Sequence, residues 1–193
     1  MSLTKTDASV IYGFVTAGGI VFLLAGIPLG LALANVTEWL VHKYVLHGLG
    51  KRRQSFWSFH WHEHHNACRK HGMHDPDYNR PALGWHAQGK EILGLAAGAI
   101  PSSFLFPWWP TLSATLVWSA FDYYRKHKHA HLDPEWARRH LVWHYDHHMG
   151  PDQNANWCVT RPWFDVLVGT RKPFGGTPLE TERTARTAAG SAR

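Results

Sequence analysis

The sequence predicts an all-α integral membrane helical bundle with a histidine-rich cytoplasmic cap that holds a dinuclear metal site. Two stretches, residues 8–37 and 92–121, contain no Asp, Glu, Lys or Arg over 30 residues each. About 18–20 apolar residues are enough to cross a bilayer. Histidine makes up 16 of the 193 residues, and all of them lie between His42 and His148. Many recur three or four positions apart, which places them on one face of a helix.

The first apolar stretch contains Pro28 near its middle. It predicts either one long helix kinked at this proline or a helical hairpin, and we favour a single crossing. The residues before it include Lys5 and Asp7. This is a poor match to a cleaved signal peptide, so we expect the segment to be retained.

The second apolar stretch contains Pro101, Pro107 and Pro110 around the sequence FPWWP. Prolines interrupt helices, so we predict a hairpin with helices near residues 91–106 and 111–131. A hairpin returns the two groups of histidines to the same side of the membrane. The basic residues flanking the apolar segments predict that this side is cytoplasmic. They are Lys51, Arg52, Arg53, Arg69, Lys70, Arg125, Lys126, Arg138 and Arg139.

The remaining segments are predicted to be short. Residues 51–86 are expected to form short helices and loops. Residues 132–148 are expected to form one helix that begins after the N-cap Asp133 and ends at Gly150. Residues 175–193 are polar and are expected to form a disordered tail outside a domain of residues 1–174.

Charge and cysteine content argue against a nucleic-acid-binding protein and against a protein built on disulfides or a thiolate zinc site. The net charge is +6 with histidine neutral, but the basic residues are scattered and form no stripe interleaved with aromatics. This favours a membrane surface over nucleic acid as the partner. The only cysteines, Cys68 and Cys158, form no CxxC pair. We therefore expect two buried thiols and neither a disulfide framework nor a thiolate zinc site.

Histidine pairs at helical spacing indicate metal chelation. The spacing is four in His60–His64, His127–His131 and His144–His148. Adjacent residues of a helix point about 100° apart, so the doublets 64–65 and 147–148 can each serve two different ions. His42 and His47 are five apart and do not share a face of a regular helix; His47 is expected to turn back after the helix ends near Gly48.

These pairs and doublets give ten candidate metal ligands, about five for each of two ions. An all-imidazole site suits iron, zinc or copper, and positions open to dioxygen favour two iron ions, with zinc as the alternative occupant on purification. The candidates are His42, His47, His60, His64, His65, His127, His131, His144, His147 and His148.

The sequence gives weaker support for metal binding by the other histidines. His62 and His129 lie on the opposite sides of their helices from the paired histidines. His71, His74 and His86 are expected in loops. His140, four positions before His144, is an alternative ligand.

Glu38 and Asp122 follow the apolar segments, and each precedes a later box histidine, His60 or His144, by 22 positions. They are either partners that fix imidazole tautomers or ordinary interfacial charges. Trp57, Trp61 and Trp143 are expected to pack in the core or to line a substrate path.

The four boxes resemble those of the fatty acid hydroxylase/sterol desaturase superfamily. They are HX4H at 42–47, HX3HH at 60–65, HX3H at 127–131 and HX2HH at 144–148, in order between and after two apolar segments. TEWLVHKYVLH resembles the first box with its preceding Glu, and NWCVTRPWFDVLVGTR resembles the closing segment. The second box has three intervening residues where many members have two, and the third box, HKHAH, is crowded.

The resemblance, over about residues 20–172, implies a membrane di-iron oxygenase with the ten histidines as ligands. Such an enzyme hydroxylates an unactivated C–H bond of a lipid, most simply a fatty acyl chain, with dioxygen. The chain contains no recognisable cytochrome, flavin or ferredoxin segment, so a separate ferredoxin, cytochrome or reductase is expected to supply electrons. The alternatives are a lipid, sterol or carotenoid desaturase or hydroxylase on the same centre, and a non-catalytic metal-binding membrane protein.

Overall fold

The computed structural model describes residues 17–191, and the regular secondary structure of this part of the chain is all helical, with no strand. The all-α prediction is thus confirmed for the described residues. Two π-helices, π1 and π2, and one 3₁₀ turn occur among the α-helices. In chain order, the elements are α1 Ala17–Leu40, π1 Val41–Leu49, π2 His60–His64, α2 His65–Lys70, the 3₁₀ turn Pro76–Asn79, α3 Ala87–Ser103, α4 Pro110–Leu132, α5 Pro134–His140, α6 Val142–Met149, α7 Trp163–Leu167 and α8 Pro178–Ser191.

Helix α1 runs through Pro28 without interruption and continues directly into π1. The described part of the first apolar stretch is therefore one helix and not a hairpin; residues 8–16 lie outside the described residues. The continuous stretch Gly18–Leu49 is long and apolar enough to span a membrane, with a mean hydropathy of 2.1 over its best window. Only 17% of that window is buried. Among residues 17–191 it is the one helix that meets these criteria.

The second apolar stretch forms two helices, α3 and α4, as predicted. The turn between them occupies residues 104–109, so α3 ends three residues earlier than expected. Pro110 begins α4, where its fixed φ and missing N–H carry no cost. Across the turn, the hydroxyl of Ser113 donates to the carbonyl of Ser102 over 2.9 Å.

The chain divides into two compact units: residues 17–34 with 95–121, and residues 35–94 with 122–191. In the first unit, α1 and α4 pack closely because α1 carries glycine at positions 26 and 30. A Cβ atom at Gly26 would lie 2.7 Å from the backbone nitrogen of Leu112, and one at Gly30 would lie 2.8 Å from Cβ of Thr115. Only a residue without a side chain permits this approach.

The apolar core of the second unit is small. Met73, Ala130, Ala137 and Leu141 form one buried group, against which Trp143 packs. Trp39, Trp157 and Cys158 form the other. Both Cys68 and Cys158 are buried free thiols, as expected. Much of the remaining buried surface of this unit is imidazole.

The segment 132–148 forms two helices, so the prediction of a single helix was wrong. Its beginning is as expected, with the carboxylate of Asp133 accepting from the Trp136 N–H over 2.9 Å. The helix breaks at Leu141, whose φ of −129° and ψ of 46° are not helical. Leu141 is only 3% exposed. Its burial in the core stabilises the break without a proline or glycine, so the sequence gives no local signal for it.

The C-terminal stretch also differs from the expected disorder, because residues 178–191 form α8. Thr177 and Glu180 have the spacing of a capping box, and Pro178 follows at the first helical position. The Glu180 carboxylate accepts two bonds from the Arg138 guanidinium, at 2.7 and 3.0 Å, and one from the Tyr145 hydroxyl. A polar helix is thereby tied to α5 and α6 by hydrogen bonds.

Candidate metal centre

All ten candidate histidines are buried, and all lie in the second unit. Nine of them form two groups in which one ring nitrogen from each residue lies within 4.8 Å of those of the other members. Cluster A consists of His42, His47, His60, His65 and His147. Cluster B consists of His64, His127, His131 and His148.

His144, the tenth candidate, adjoins cluster B. Its Nε2 atom lies 3.0 Å from Nε2 of His131. Its ring centroid is 4.7 Å from that of His148 and 4.9 Å from that of His127. With His144 included, five imidazoles meet on each side.

The two π-helices explain how histidines five positions apart come together. A π-helix closes its hydrogen bonds between residues i and i+5 and often occurs at functional sites. In π1, the rings of His42 and His47 lie 5.0 Å apart between centroids. In π2, Nε2 of His60 lies 3.2 Å from Nε2 of His65. The expectation that His47 turns back after the end of a helix was wrong, because His47 lies within π1.

The doublets divide between the clusters, as their spacing predicts. His65 and His147 belong to cluster A, whereas His64 and His148 belong to cluster B. The pairing expected within the second box was wrong: His60 and His64 fall in different clusters, because π2 aligns His60 with His65 instead. Each cluster thus contains one histidine from each doublet, and the adjacent histidine of that doublet belongs to the other cluster.

The two clusters are adjacent. The ring centroids of His65 and His148 lie 4.3 Å apart, and those of His147 and His148 lie 5.1 Å apart. The segments 60–65 and 142–149 therefore run past both clusters.

Backbone carbonyls set the direction of several imidazoles. The Nδ1 atoms of His42, His131 and His147 lie 2.5, 2.9 and 2.7 Å from the carbonyl oxygens of Trp157, Met73 and Ala155. A carbonyl only accepts, so each Nδ1 carries the proton and the neutral ring turns the lone pair of Nε2 inward.

These inward Nε2 atoms approach other imidazole nitrogens. His42 Nε2 lies 3.0 Å from His60 Nε2, and His147 Nε2 lies 3.2 Å from His65 Nε2. The Nε2 atoms of His64, His127 and His148 are buried without a hydrogen-bond partner among the described residues. Converging lone pairs repel one another unless a cation lies between them, and unpaired buried nitrogens are costly. The residues therefore fit the binding of metal ions.

Protons do not fill the clusters in place of metal. Burial, and next the neighbouring imidazoles, lower the pKa of His60, His65, His144 and His148 well below the ordinary value. These rings are neutral at neutral pH, which is the form that binds a metal ion.

Carboxylates orient two imidazoles of cluster B. Nδ1 of His64 lies 2.7 Å from Oδ2 of Asp75, which is 2% exposed. Nδ1 of His127 lies 2.7 Å from Oε1 of Glu91 and 2.8 Å from the Tyr78 hydroxyl, which in turn donates to Glu91. Sequence reasoning missed these residues. A usable signal exists for Glu91, because it is the last charge before the second uncharged stretch.

Glu38 and Asp122 do not contact imidazoles in the recorded hydrogen bonds and ion pairs. Glu38 accepts from the backbone N–H groups of Val159 and Thr160, at 3.0 and 2.9 Å. Asp122 pairs with Arg125 and Lys126 on its own helix. Glu38 therefore holds the segment that orients His42, and Asp122 is a buried charge paired with basic residues of its own helix.

The closing segment also supports cluster A. The buried carboxylate of Asp165 accepts from the N–H groups of Trp157 and Cys158, at 2.9 and 2.7 Å, and from the Thr170 hydroxyl at 2.6 Å. These bonds fix the peptide whose carbonyl contacts His42.

The remaining histidines lie outside both clusters. His62 contacts the carbonyl of Lys51, and His129 stacks on Trp136 at 4.1 Å, as their helix positions predict. His86 contacts Asp77, and His140 is exposed and packs against Trp136. His71 is exposed and His74 half-buried, and neither belongs to a cluster.

The three tryptophans pack among neighbouring side chains. The ring of Trp61 lies against His47 and His65, Trp57 packs on Phe56, and the Trp143 indole donates to the carbonyl of Val159. All three side chains are half-buried, and Trp143 packs against the buried group that contains Leu141.

A third group of potential ligands, His64, Cys68 and Asp75, overlaps cluster B. Asp75 already engages Nδ1 of His64, and Sγ of Cys68 lies 3.4 Å from Nδ1 of His131. Burial raises the pKa of the Cys68 thiol well above its ordinary value, so it stays protonated. We therefore assign this group to the support of cluster B.

Comparison of the chain with protein-family models, curated proteins and solved structures found no match. The class of site follows from the geometry alone: an all-helical protein with two adjacent buried histidine clusters that can bind metal ions.

Proposed function

We propose that this protein is a membrane-bound non-haem di-iron oxygenase that hydroxylates an unactivated C–H bond of a lipid, most simply of a fatty acyl chain. The observation that carries the proposal is the pair of adjacent five-imidazole groups, with the doublets 64–65 and 147–148 divided between them. This arrangement suits two ions close together better than two independent structural sites, because both doublets border both clusters.

The donor set supports iron as the metal. Ten imidazoles provide borderline ligands without thiolate, which suits iron, zinc or copper. Two bound iron ions supply the capacity to activate dioxygen for attack on a C–H bond. Amino-acid side chains alone do not have that capacity, which gives a reason for burying so many histidines.

The chain's own residues supply orientation. The carbonyls of Trp157, Ala155 and Met73 fix the rings of His42, His147 and His131 with Nε2 inward. Burial of the ten histidines limits the access of water to the clusters.

Membrane attachment supports a lipid as the substrate. The stretch Gly18–Leu49 has the length and hydropathy of a membrane helix and is largely unburied. In the first unit, large apolar side chains are also exposed, among them Val21 at 67%, Phe104 at 70% and Trp108 at 71%. Exposed apolar surface of this kind is normal in a bilayer and costly in water. We propose that the histidine clusters lie on the cytoplasmic side.

Hydroxylation needs an electron source outside this chain. Inserting one oxygen atom of O2 into a C–H bond and releasing the other as water consumes two electrons and two protons. We propose a ferredoxin, a cytochrome or a reductase as the donor. The basic charge of the chain, +6, suits an acidic partner.

The test is product analysis. Membranes containing the iron-loaded protein, a reducing system and ¹⁸O₂ are incubated, and their lipids are compared with those from a His147→Ala/His148→Ala double variant. We expect a lipid product that carries one ¹⁸O atom and is absent from the variant.

Two results would contradict the proposal in different ways. A product that has lost two hydrogens without gaining ¹⁸O would identify a desaturase on the same centre. Metal binding without any oxidised lipid, across fatty acyl, sterol and carotenoid substrates, would favour a non-catalytic metal-binding protein. Against a carrier, the uncharged stretches 8–37 and 92–121 offer no charged path through a bilayer.

A further inference from the structure

Hydrogen-bond partners of the imidazoles differ in charge between the two clusters. In cluster A, the partners of Nδ1 are neutral: the carbonyls of Trp157 and Ala155 for His42 and His147, and the side-chain amide of Gln153 for His65. Among the described residues, no hydrogen bond joins a carboxylate to an imidazole of cluster A.

Cluster B has two acidic partners. Asp75 contacts Nδ1 of His64, and Glu91 contacts Nδ1 of His127, both at 2.7 Å. Both acids are well shielded, with side-chain exposures of 2% and 10%. At such sites water screens charge poorly, so an ionised acid acts strongly on a nearby cation. Burial raises the pKa of the Glu91 carboxyl to about 8, so Asp75 supplies the negative charge at neutral pH.

We propose that the two clusters are unequal metal sites and that cluster B binds its ion first and more tightly, because Asp75 and Glu91 support its imidazoles. A carboxylate that accepts the Nδ1 proton increases the electron donation of Nε2 and adds negative charge near the ion. A backbone carbonyl fixes the same tautomer with much less of both effects. The Gln153 amide, whose Nε2 faces Nδ1 of His65, carries no charge and donates instead of accepting.

This inference rests on the metal binding proposed above but not on the oxygenase reaction. It implies an order of assembly. The ion in cluster B is in place before cluster A is filled, and the two ions differ in affinity even though both are bound by imidazole alone.

The chain offers a matched pair of variants. Asp75→Asn removes the charge beside His64, and asparagine is also a good N-cap, so it can still accept from the Asp77 N–H as Asp75 does at 3.0 Å. The control is Asp77→Asn, which removes an acid two residues further on. Asp77 lies 3.1 Å from Nδ1 of His86, outside both clusters.

A reciprocal variant tests the same idea in cluster A. Gln153→Glu replaces the amide that contacts Nδ1 of His65 at 2.8 Å with a carboxylate of the same shape. This change adds to cluster A the kind of partner that cluster B already has.

In the experiment, the metal-free protein in detergent is titrated with Zn²⁺, and isothermal titration calorimetry measures each binding step. The titration is repeated on His147→Ala, which lacks a cluster A histidine, and on His148→Ala, which lacks a cluster B histidine. We expect two resolved steps in the wild type, with the tighter step lost in His148→Ala and kept in His147→Ala.

The charge variants give the decisive comparison. Loss of an orienting partner lowers metal affinity by roughly 10–100-fold, so we expect Asp75→Asn to weaken the tighter step by this factor. Asp77→Asn should leave both steps unchanged, and Gln153→Glu should tighten the weaker step. Equal affinities in the wild type, or a tighter step that survives His148→Ala and Asp75→Asn, would overturn the inference while leaving metal binding intact. A protein that binds no zinc would overturn both this inference and the proposed function.

Discussion

At the scale of single residues, the contact made by Nδ1 decides where each imidazole directs its metal-binding nitrogen. Five recorded partners are acceptors: the carbonyls of Trp157, Met73 and Ala155 and the carboxylates of Asp75 and Glu91. Each of them leaves Nε2 free to face the cluster. The ligands are thus held by the surrounding backbone and acids before any ion arrives.

His131 and His129 provide a direct comparison within α4. His131 is fully buried in cluster B, whereas His129 is exposed and stacks on Trp136. We expect His131→Ala to lower the affinity for one metal ion. The decrease should exceed the roughly 10–100-fold caused by loss of an orienting partner. His129→Ala should bind two ions as the wild type does. Zinc titration of the two variants makes the measurement, and equal binding by both would contradict the assignment of His131.

Asp165 supports the site from a distance. It accepts two backbone N–H bonds and one hydroxyl bond, and an asparagine in its place has only one acceptor oxygen. We expect Asp165→Asn to reduce the free energy of unfolding by about 1.5–3 kcal/mol, the range for hydrogen bonds to a charged group. Chemical denaturation in detergent measures the change.

The control for this variant is Asp152→Asn. Asp152 pairs with Lys172 over 2.6 Å, but the lysine side chain is 62% exposed. An exposed ion pair contributes about 0–1 kcal/mol. If Asp152→Asn reduced the free energy of unfolding as much as Asp165→Asn does, the Asp165 hydrogen bonds would contribute no more to stability than an exposed ion pair.

At the scale of elements, close packing of α1 on α4 depends on two glycines. We expect Gly26→Ala and Gly30→Ala each to destabilise the protein by about 1–3 kcal/mol, the usual cost of inserting atoms into a packed contact. Gly98→Ala on α3 is the control, because no atom lies within 4 Å of the Cβ position there. Thermal unfolding in detergent compares the three, and equal stability would contradict the close contact.

The helices also show how far the sequence allowed the site to be predicted. The pair His127–His131 was identified from its spacing alone, because α4 is a regular α-helix there. The pairs His42–His47 and His60–His65 were not, because a π-helix changes the residues that share a face. Spacing rules derived for the α-helix cannot reveal it.

Contacts between residues far apart in the sequence were the other limit on prediction. Asp75 lies 11 positions from His64, and Glu91 lies 36 from His127. Their contacts depend on tertiary packing that helical periodicity does not encode. The break at Leu141 has the same origin, since it depends on burial in the core and not on a local breaker.

At the scale of the whole molecule, we expect the burial of so many imidazoles to make folding depend on metal. The small apolar core of the second unit provides limited stabilisation, while the unpaired ring nitrogens of His64, His127 and His148 oppose folding. We expect bound metal to raise the melting temperature in detergent. At a free metal concentration 100 times Kd, each site adds about 2.7 kcal/mol.

A chelator should reverse this stabilisation. The His147→Ala/His148→Ala double variant, which lacks one histidine from each cluster, should gain much less from added metal. Equal melting temperatures with metal and with chelator, in the wild-type protein, would contradict a linkage between folding and metal binding.

The most direct test of the proposed dinuclear centre is the metal content per chain, measured by elemental mass spectrometry on protein purified in detergent. The comparison includes His147→Ala in cluster A and His148→Ala in cluster B. We expect close to two iron ions, or zinc in their place, per wild-type chain and a fall in each single variant. One ion or none in the wild type, unchanged by either substitution, would contradict a dinuclear site.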